Sequence, residues 1–317
     1  MLRLKIIDNN FGKKDWLYEI RKSVDWDPFA DLGYLDIISN NVKLIEFNKG
    51  EKIIGRIALV ENNLGLVQVP EFTPYSTLIL SADMNNSSIS KREKFRFLCF
   101  EKLAEFLCEL KNFKSLAFNP SHIDLRPFLW FNYHEKNGFK FNVFPRYTAR
   151  IYFENHSKDL LYKNLSKGRK SDLKRSIGLE IATKNNFDEI FDIYKMTFSR
   201  QNISIDNTYF KKMKIILQNS FYPYKSTIFT AKDKFNKTNA FVYFLHSNKS
   251  AYYLFGGSTE EGRECGALTF LIFTFLEECF NKKFDYLDFV GANSPNRGDF
   301  KLSFGSKLVP YYEITKK

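Results

Sequence analysis

The residues best suited to chemistry lie between positions 251 and 312. Lys301 follows Phe300 in a polar segment, 291–305, that holds three glycines and one proline and reads as a loop. Phe300 and Phe304 flank it and anchor the loop. An ammonium group facing a cleft from such a loop can stabilise a developing oxyanion. Upstream, 252–255 reads as a short strand stopped by Gly256 and Gly257. The stretch 263–280 then reads as one long apolar helix, with Ala267, Leu268, Leu271, Phe275 and Leu276 at helical spacing. A glycine turn between a strand and a helix lets backbone N–H groups face an anion, so Gly256, Gly257, Arg263 and Gly266 are candidates for holding phosphate. Lys167, Arg169, Lys170, Lys174 and Arg175 form the densest basic run of the chain. Cations so spaced fit a phosphate-bearing ligand or tRNA, and equally a solvated helix face.

These residues need elements to position them. Toward the N-terminus, a helix at 14–21 precedes strands at 42–47 and 52–60, a hairpin loop between them, and a third strand at 65–69. A proline-bracketed segment, 70–75, reads as a loop over a cleft or as a rigid connector. The strongest helix spans 91–112, with a stripe from Phe95 to Leu110, and Ser90 and Glu93 as a capping box. Strands follow at 115–118, 139–144 and 147–153, the last two joined across Pro145 and Arg146. Beyond 154, helical pieces split near Ser166, a strand at 179–183, helices at 187–198 and 208–217, and strands at 226–232, 238–246 and 250–255 lead into the long helix. A strand at 286–290 precedes the lysine segment. The two halves share an order of helices, β-meander, long helix and strand, which places a domain boundary near Glu154.

Composition narrows the classes. A chain of 317 residues is natural for two domains, and 44% hydrophobic content with 34 Phe supplies their cores. The net charge of +12 suits an anionic partner: a coenzyme, a nucleotide-linked substrate, RNA or a membrane surface. Cys99, Cys108, Cys265 and Cys279 lack C-x-x-C spacing and the four histidines are scattered, so no metal site is expected. No apolar run is long enough to span a bilayer, and the N-terminus has the pattern of neither a signal peptide nor an anchor. A cytoplasmic protein, with peripheral membrane contact at most, is the expectation. There is no G-x-S-x-G, P-loop or H-E-x-x-H motif, so direct transfer between bound substrates is favoured over covalent catalysis.

The run Phe300-Lys301-Leu302-Ser303-Phe304-Gly305, followed by Leu308-Val309-Pro310-Tyr311-Tyr312, resembles the F-K-x-x-F-G motif of the FemAB-like acyltransferases, which share the GNAT-type acetyltransferase fold. The Tyr253-Leu254-x-Gly-Gly run, Gly266-Ala267, the 70–75 segment and the basic helix also resemble that family. The resemblance implies an α/β (α+β) chain of two tandem GNAT-like domains, 1–154 and 155–317. Each would be a twisted mixed sheet flanked by helices, with the F-K-x-x-F-G motif in the second.

The same resemblance implies an acyltransferase in which Lys301 stabilises the tetrahedral intermediate and Asp288, at a strand end, orients Lys301 or takes a proton. The family's pyrophosphate loop, Q/R-x-x-G-x-G/A, corresponds to Arg263-Glu264-Cys265-Gly266-Ala267-Leu268, with Leu268 in place of the last small residue. Tyr75, Arg146, Tyr147, Arg169, Lys170 and Phe300 are the implied substrate-binding residues. Acyl-CoA is the favoured donor and aminoacyl-tRNA the alternative, as in FemX-type peptidyltransferases. The acceptor would be an amine or hydroxyl of a sugar- or peptide-linked cell-envelope or polysaccharide precursor. A non-catalytic binding protein that keeps the fold and its basic face is the rival from another class.

Overall fold

The computed structural model describes residues 2–7, 10–154, 157–182, 186–200, 204–218, 225–247 and 249–317. It divides into two compact units, Met1–Arg146 with Pro310–Lys317, and Tyr147–Val309.

In the first unit the chain runs β1 (Leu2–Ile7), α1 (Asn10–Ile20), α2 (Leu32–Ile38), β2 (Val42–Lys49), β3 (Lys52–Val60), β4 (Ile79–Leu80), α3 (Ile89–Glu109), β5 (Ser115–Ala117) and α4 (Arg126–Leu129). Strands β1 to β4 form an antiparallel sheet in sequence order. Gly50 closes the β2–β3 hairpin at φ 62°, a conformation open to glycine at no steric cost. Ile45, Phe47, Ile57 and Leu59 alternate toward one face and are buried with Cys99, Phe100, Leu103 and Leu107 of α3. That packing explains why an apolar stripe at helical spacing settles on this sheet. The capping residue of α3 is Ser88, whose Oγ accepts from the Lys91 N–H, and not Ser90. The expected strand at 65–69 is a turn at Gly65 with single bridges from Val67 to Glu61 and Phe113. Asn62 Oδ1 accepts from both the Leu64 and Leu66 N–H groups, and that side-chain turn replaces a ladder.

Strand β6 (Phe141–Tyr152) runs unbroken through Pro145, where two strands were expected. It carries the chain into the second unit. There follow α5 (Lys158–Asn164), α6 (Lys167–Arg175), β7 (Glu180–Ala182), α7 (Phe187–Ser199), α8 (Asn207–Gln218), β8 (Lys225–Lys232), β9 (Thr238–His246), β10 (Ser250–Ser258), α9 (Glu260–Glu264), α10 (Ala267–Asn281), β11 (Tyr286–Asp288), α11 (Pro295–Leu302) and β12 (Lys307–Lys316). The end of β12 returns to the first unit, where Glu313–Thr315 pair with β5.

Within the second unit the strand order is β6-β11-β10-β9-β8-β7. Every neighbouring pair is antiparallel except β10 and β11, which are parallel. Strand β9 is buried along its whole length, as a continuous apolar run predicts for a central strand. Helix α10 lays Ala267, Leu271, Phe275 and Leu276 against it, and Phe275 stacks on Phe244 with ring centroids 3.7 Å apart.

Two features of the C-terminal segment differ from expectation and bear on the site. Gly256 and Gly257 do not stop β10; they pair with Val242 and Phe241 inside it. A Cβ on Gly257 would lie 2.9 Å from Thr197 Oγ1 and 3.1 Å from Ile193 Cγ2, so this glycine admits α7 onto the strand. The long helix is two helices, because Gly266 adopts φ 73° and separates α9 from α10.

Candidate active site

Strands β10 and β11 share a ladder only from Ser250–Tyr286 to Tyr252–Asp288. Past that point they part. A register shift between Tyr253 and Phe255 leaves Leu254 as an extra residue on β10. The opening at the carboxyl ends of this parallel pair is a place where α/β sheets bind ligands. A cavity of about 1320 Å³ lies there, lined by Tyr253 to Gly256 from β10 and by Val290 after β11. The starts of α10 and α11 and the end of α7 also reach it.

Lys301 lines this cavity from helix α11, and not from a loop. The helix begins at Ser294 and Pro295, a start signal that the glycine content of the segment obscured. The side chain is buried, with 9% exposure. Its Nζ donates to Val290 O at 2.7 Å and to Gly291 O. Two of three N–H groups are thus committed, which leaves one for the cavity. Burial lowers its pKa to about 8, with the positive charge of Arg297 acting in the same direction and the negative charge of Asp288 opposing.

Asp288 is fully buried. Its Oδ2 accepts from Arg150 Nε at 2.7 Å, while Oδ1 accepts from Thr148 Oγ1 and, at 2.8 Å, from the Val290 N–H. A carboxylate so engaged is a builder of the strand end. Its negative charge favours the protonated form of Lys301.

The cavity is strongly cationic. Arg169, Arg175, Arg200, Arg263, Arg297 and Lys301 line it with one carboxylate, Asp172. Asp172 is consumed by Arg169 and Arg175, at 2.9 and 2.5 Å, and accepts from Thr269 Oγ1 at 2.7 Å. Arg200 and Arg263 are close enough that burial, and then Arg263, lower the pKa of Arg200. Arg297 in turn stands near Tyr194 and Tyr253, whose hydroxyls burial holds protonated. Like charges gathered beside buried aromatic rings favour an anion.

Gly266 lies at the mouth of α10, which has no capping side chain, so its first turn has N–H groups to offer. The Gly266 backbone touches α6: a Cβ there would lie 2.4 Å from Asp172 O. The Asp172 carboxylate, already paired with Arg169 and Arg175, reaches the start of α10 through Thr269 Oγ1. Arg200, Arg263 and Arg297 line the same cavity. Sequence reasoning missed Arg200 and Arg297. Each is a lone arginine in its segment, and only the fold brings them to Arg263.

The remaining expected residues divide. Gly256, Phe300 and Arg169 line the cavity. Arg169 lies 5.1 Å from the Phe300 ring and donates to Thr269 Oγ1 at 2.7 Å. Ala267 is buried in α10 and Gly257 is packed under α7. Lys170 Nζ donates to Lys163 O at 2.8 Å, a bond within the helical pair. Tyr147 is exposed, and its N–H donates to Asn293 Oδ1 at 2.7 Å. Tyr75 and Arg146 belong to the first unit. Tyr75 is 1% exposed between Phe29 and Tyr311, which leaves it no face for an acceptor. Arg146 pairs with Glu313 at 2.8 Å. Among the described residues no group of His, Cys, Asp or Glu could hold a metal ion, and no helix is long and apolar enough to cross a membrane.

Comparison with known proteins adds the family context. Residues 162–302, which lie within the second unit, match the family described as an acetyltransferase (GNAT) domain. No curated protein matches the sequence. Among solved structures, the crystal structure of FemX is similar at TM-score 0.65 and 11% identity, over 97% of this chain and 96% of that one. A tandem GNAT protein from the clavulanic acid biosynthesis pathway, solved without acetyl-CoA, is similar at 0.53 and 10%, over 100% and 98%. The C-terminal domain of an Agrobacterium fabrum protein named as a lysylphosphatidylglycerol synthetase is similar at 0.51 and 12%, over 97% and 92%. The fold is thus the mixed α/β fold of tandem GNAT proteins, with sheets flanked by helices, along the whole chain.

Proposed function

We propose that this protein transfers an acyl group from a phosphate-bearing activated donor, acyl-CoA in the first instance, to an amine or hydroxyl of a cell-envelope or polysaccharide precursor. The observation that carries this reading is the cationic cavity lined by Lys301, whose Nζ has two carbonyl acceptors and one further N–H to give. Arg200, Arg263 and Arg297 bind the donor's phosphates. The acyl carbonyl lies toward Lys301. The acceptor nitrogen or oxygen attacks the carbonyl carbon, the carbonyl oxygen takes up negative charge, and Lys301 stabilises it. Collapse expels the donor's thiolate, and the acceptor's proton leaves to solvent or to the departing group. No acyl-enzyme is required, because both substrates are held together. Bulky Tyr194, Tyr253 and Phe255 give the cavity an apolar wall that strengthens the lysine's charge.

A second reading, aminoacyl-tRNA as donor, is favoured by the likeness to FemX and by the exposed cations of α6. Its ester carbonyl would meet Lys301 in the same way, with a ribose hydroxyl as leaving group. Calorimetric titration with coenzyme A and acetyl-CoA at low and moderate salt separates the readings. Micromolar binding that survives moderate salt supports the thioester donor. Binding that vanishes with salt is the mark of phosphate attraction alone and shifts the assignment to charged tRNA. If charged tRNA also fails to bind, the catalytic reading gives way to a non-catalytic protein with a basic face.

A further inference from the structure

We propose that Thr148 and Asp288 are positioning residues for Lys301, acting through a left-handed turn at Val290 and Gly291. The inference rests on the catalytic reading of Lys301, but its geometry stands independently. Val290 adopts φ 53° and Gly291 φ 73°. The first is costly for a β-branched residue and persists only where the surroundings enforce it. Here the enforcement is visible. The Val290 N–H donates to Asp288 Oδ1 at 2.8 Å, and the Gly291 N–H donates to Thr148 Oγ1 at 3.2 Å. Thr148 Oγ1 donates in turn to Asp288 Oδ1, and Arg150 holds the other carboxylate oxygen. One residue on, the Ala292 N–H donates to Tyr147 O at 2.7 Å.

Strand β6 and the end of β11 therefore clamp three successive amides on one side of the turn. The two successive left-handed residues send their carbonyls to the other side, where both accept from Lys301 Nζ. The third lysine N–H is left for the cavity that Lys301 lines. Thr148 and Asp288 are buried and do not touch that cavity, so they act through the turn. The charged groups around Lys301 are Asp288 on β11 and Arg297 on α11, with Arg150 on β6 behind Asp288.

The test needs no substrate. Competitive acetylation of the whole protein with acetic anhydride across a pH series, read by peptide mass spectrometry, gives the titration midpoint and reactivity of Lys301. Thr148→Val removes the hydroxyl while keeping the shape, and Thr148→Ser restores the hydroxyl. Thr148→Val is expected to move the Lys301 midpoint or change its reactivity at least threefold. Thr148→Ser is expected to return both to the parent values. A folded Thr148→Val protein with Lys301 unchanged overturns the proposal, as does a change that Thr148→Ser shares. If Thr148→Val does not fold, Gly291→Ala takes its place. No neighbour lies nearer than 3.9 Å to a Cβ there, so that change loads the turn through its positive φ alone. An unchanged Lys301 in that variant overturns the proposal equally. Because the readout is the lysine itself, failure of the acyl-donor assignment would leave this result standing.

Discussion

Replacing Lys301 with Met should change how stability depends on pH, by an amount that follows from its burial. The folded-state pKa is about 8 against an ordinary 10.5. The unfolded chain therefore binds more protons than the folded one between those values. Stability must rise with pH there, which is the reverse of the usual lysine that gains a partner. From pH 7 to pH 10 the linkage relation gives the wild type a gain of about 2–3 kcal/mol from this one group. Methionine at the same position has no proton to lose, and every other titrating group is common to both proteins. The difference between wild type and Lys301→Met should accordingly shift by about 2–3 kcal/mol in favour of the wild type over that range. The three tryptophans, Trp16, Trp26 and Trp130, all lie in the first unit, so their fluorescence is the wrong probe. Hydrogen exchange on peptides from β11 and α11, at several urea concentrations, reads the second unit directly. A stability difference that stays constant from pH 7 to pH 10 would refute the claim that Lys301 is buried as a strained cation.

Further consequences can be measured separately. Acyl transfer should lose rate as pH rises through about 8, because the Lys301 ammonium is present below that value and absent above it, and Lys301→Arg should abolish that alkaline limb. Arg200→Ala and Arg263→Ala should each weaken coenzyme A binding about tenfold or more in calorimetry, since each removes a charged hydrogen-bond donor. Asp288→Asn should cost about 3–5 kcal/mol in chemical denaturation, because Arg150, with 7% of its side chain exposed, then holds a buried charge without its counter-ion. Gly266→Ala should lower stability more than Gly291→Ala. Both have positive φ, but only at Gly266 does a Cβ meet backbone, 2.4 Å from Asp172 O.

Much of the scaffold was legible because its elements obey simple periodicities. The stripe of α3, the hairpin at Gly50, the split between α5 and α6 and the strand β9 with its apolar run from Ala240 to Leu245 were all readable from local pattern. What escaped depended on contacts distant in sequence. Gly256 and Gly257 look like turn glycines, yet Gly257 is small because α7 packs on it. The segment around Lys301 looks like a loop because its glycines mask the Ser294–Pro295 helix start. The motif marks Lys301 as a candidate, but its two carbonyl partners were not legible, since they require a left-handed valine that no propensity favours. Arg200 and Arg297 carry no motif and become neighbours of Arg263 only when α7, α9 and α11 converge on one cavity.

Thiol release from acetyl-CoA, followed with a panel of amine and amino-sugar acceptors for the wild type and Lys301→Ala, tests the central claim most directly. Removing an oxyanion donor should lower kcat by about 10²- to 10³-fold while leaving donor affinity unchanged. Equal kcat in the two proteins, with an acceptor that the wild type turns over, would contradict the assignment of Lys301 to the reacting carbonyl.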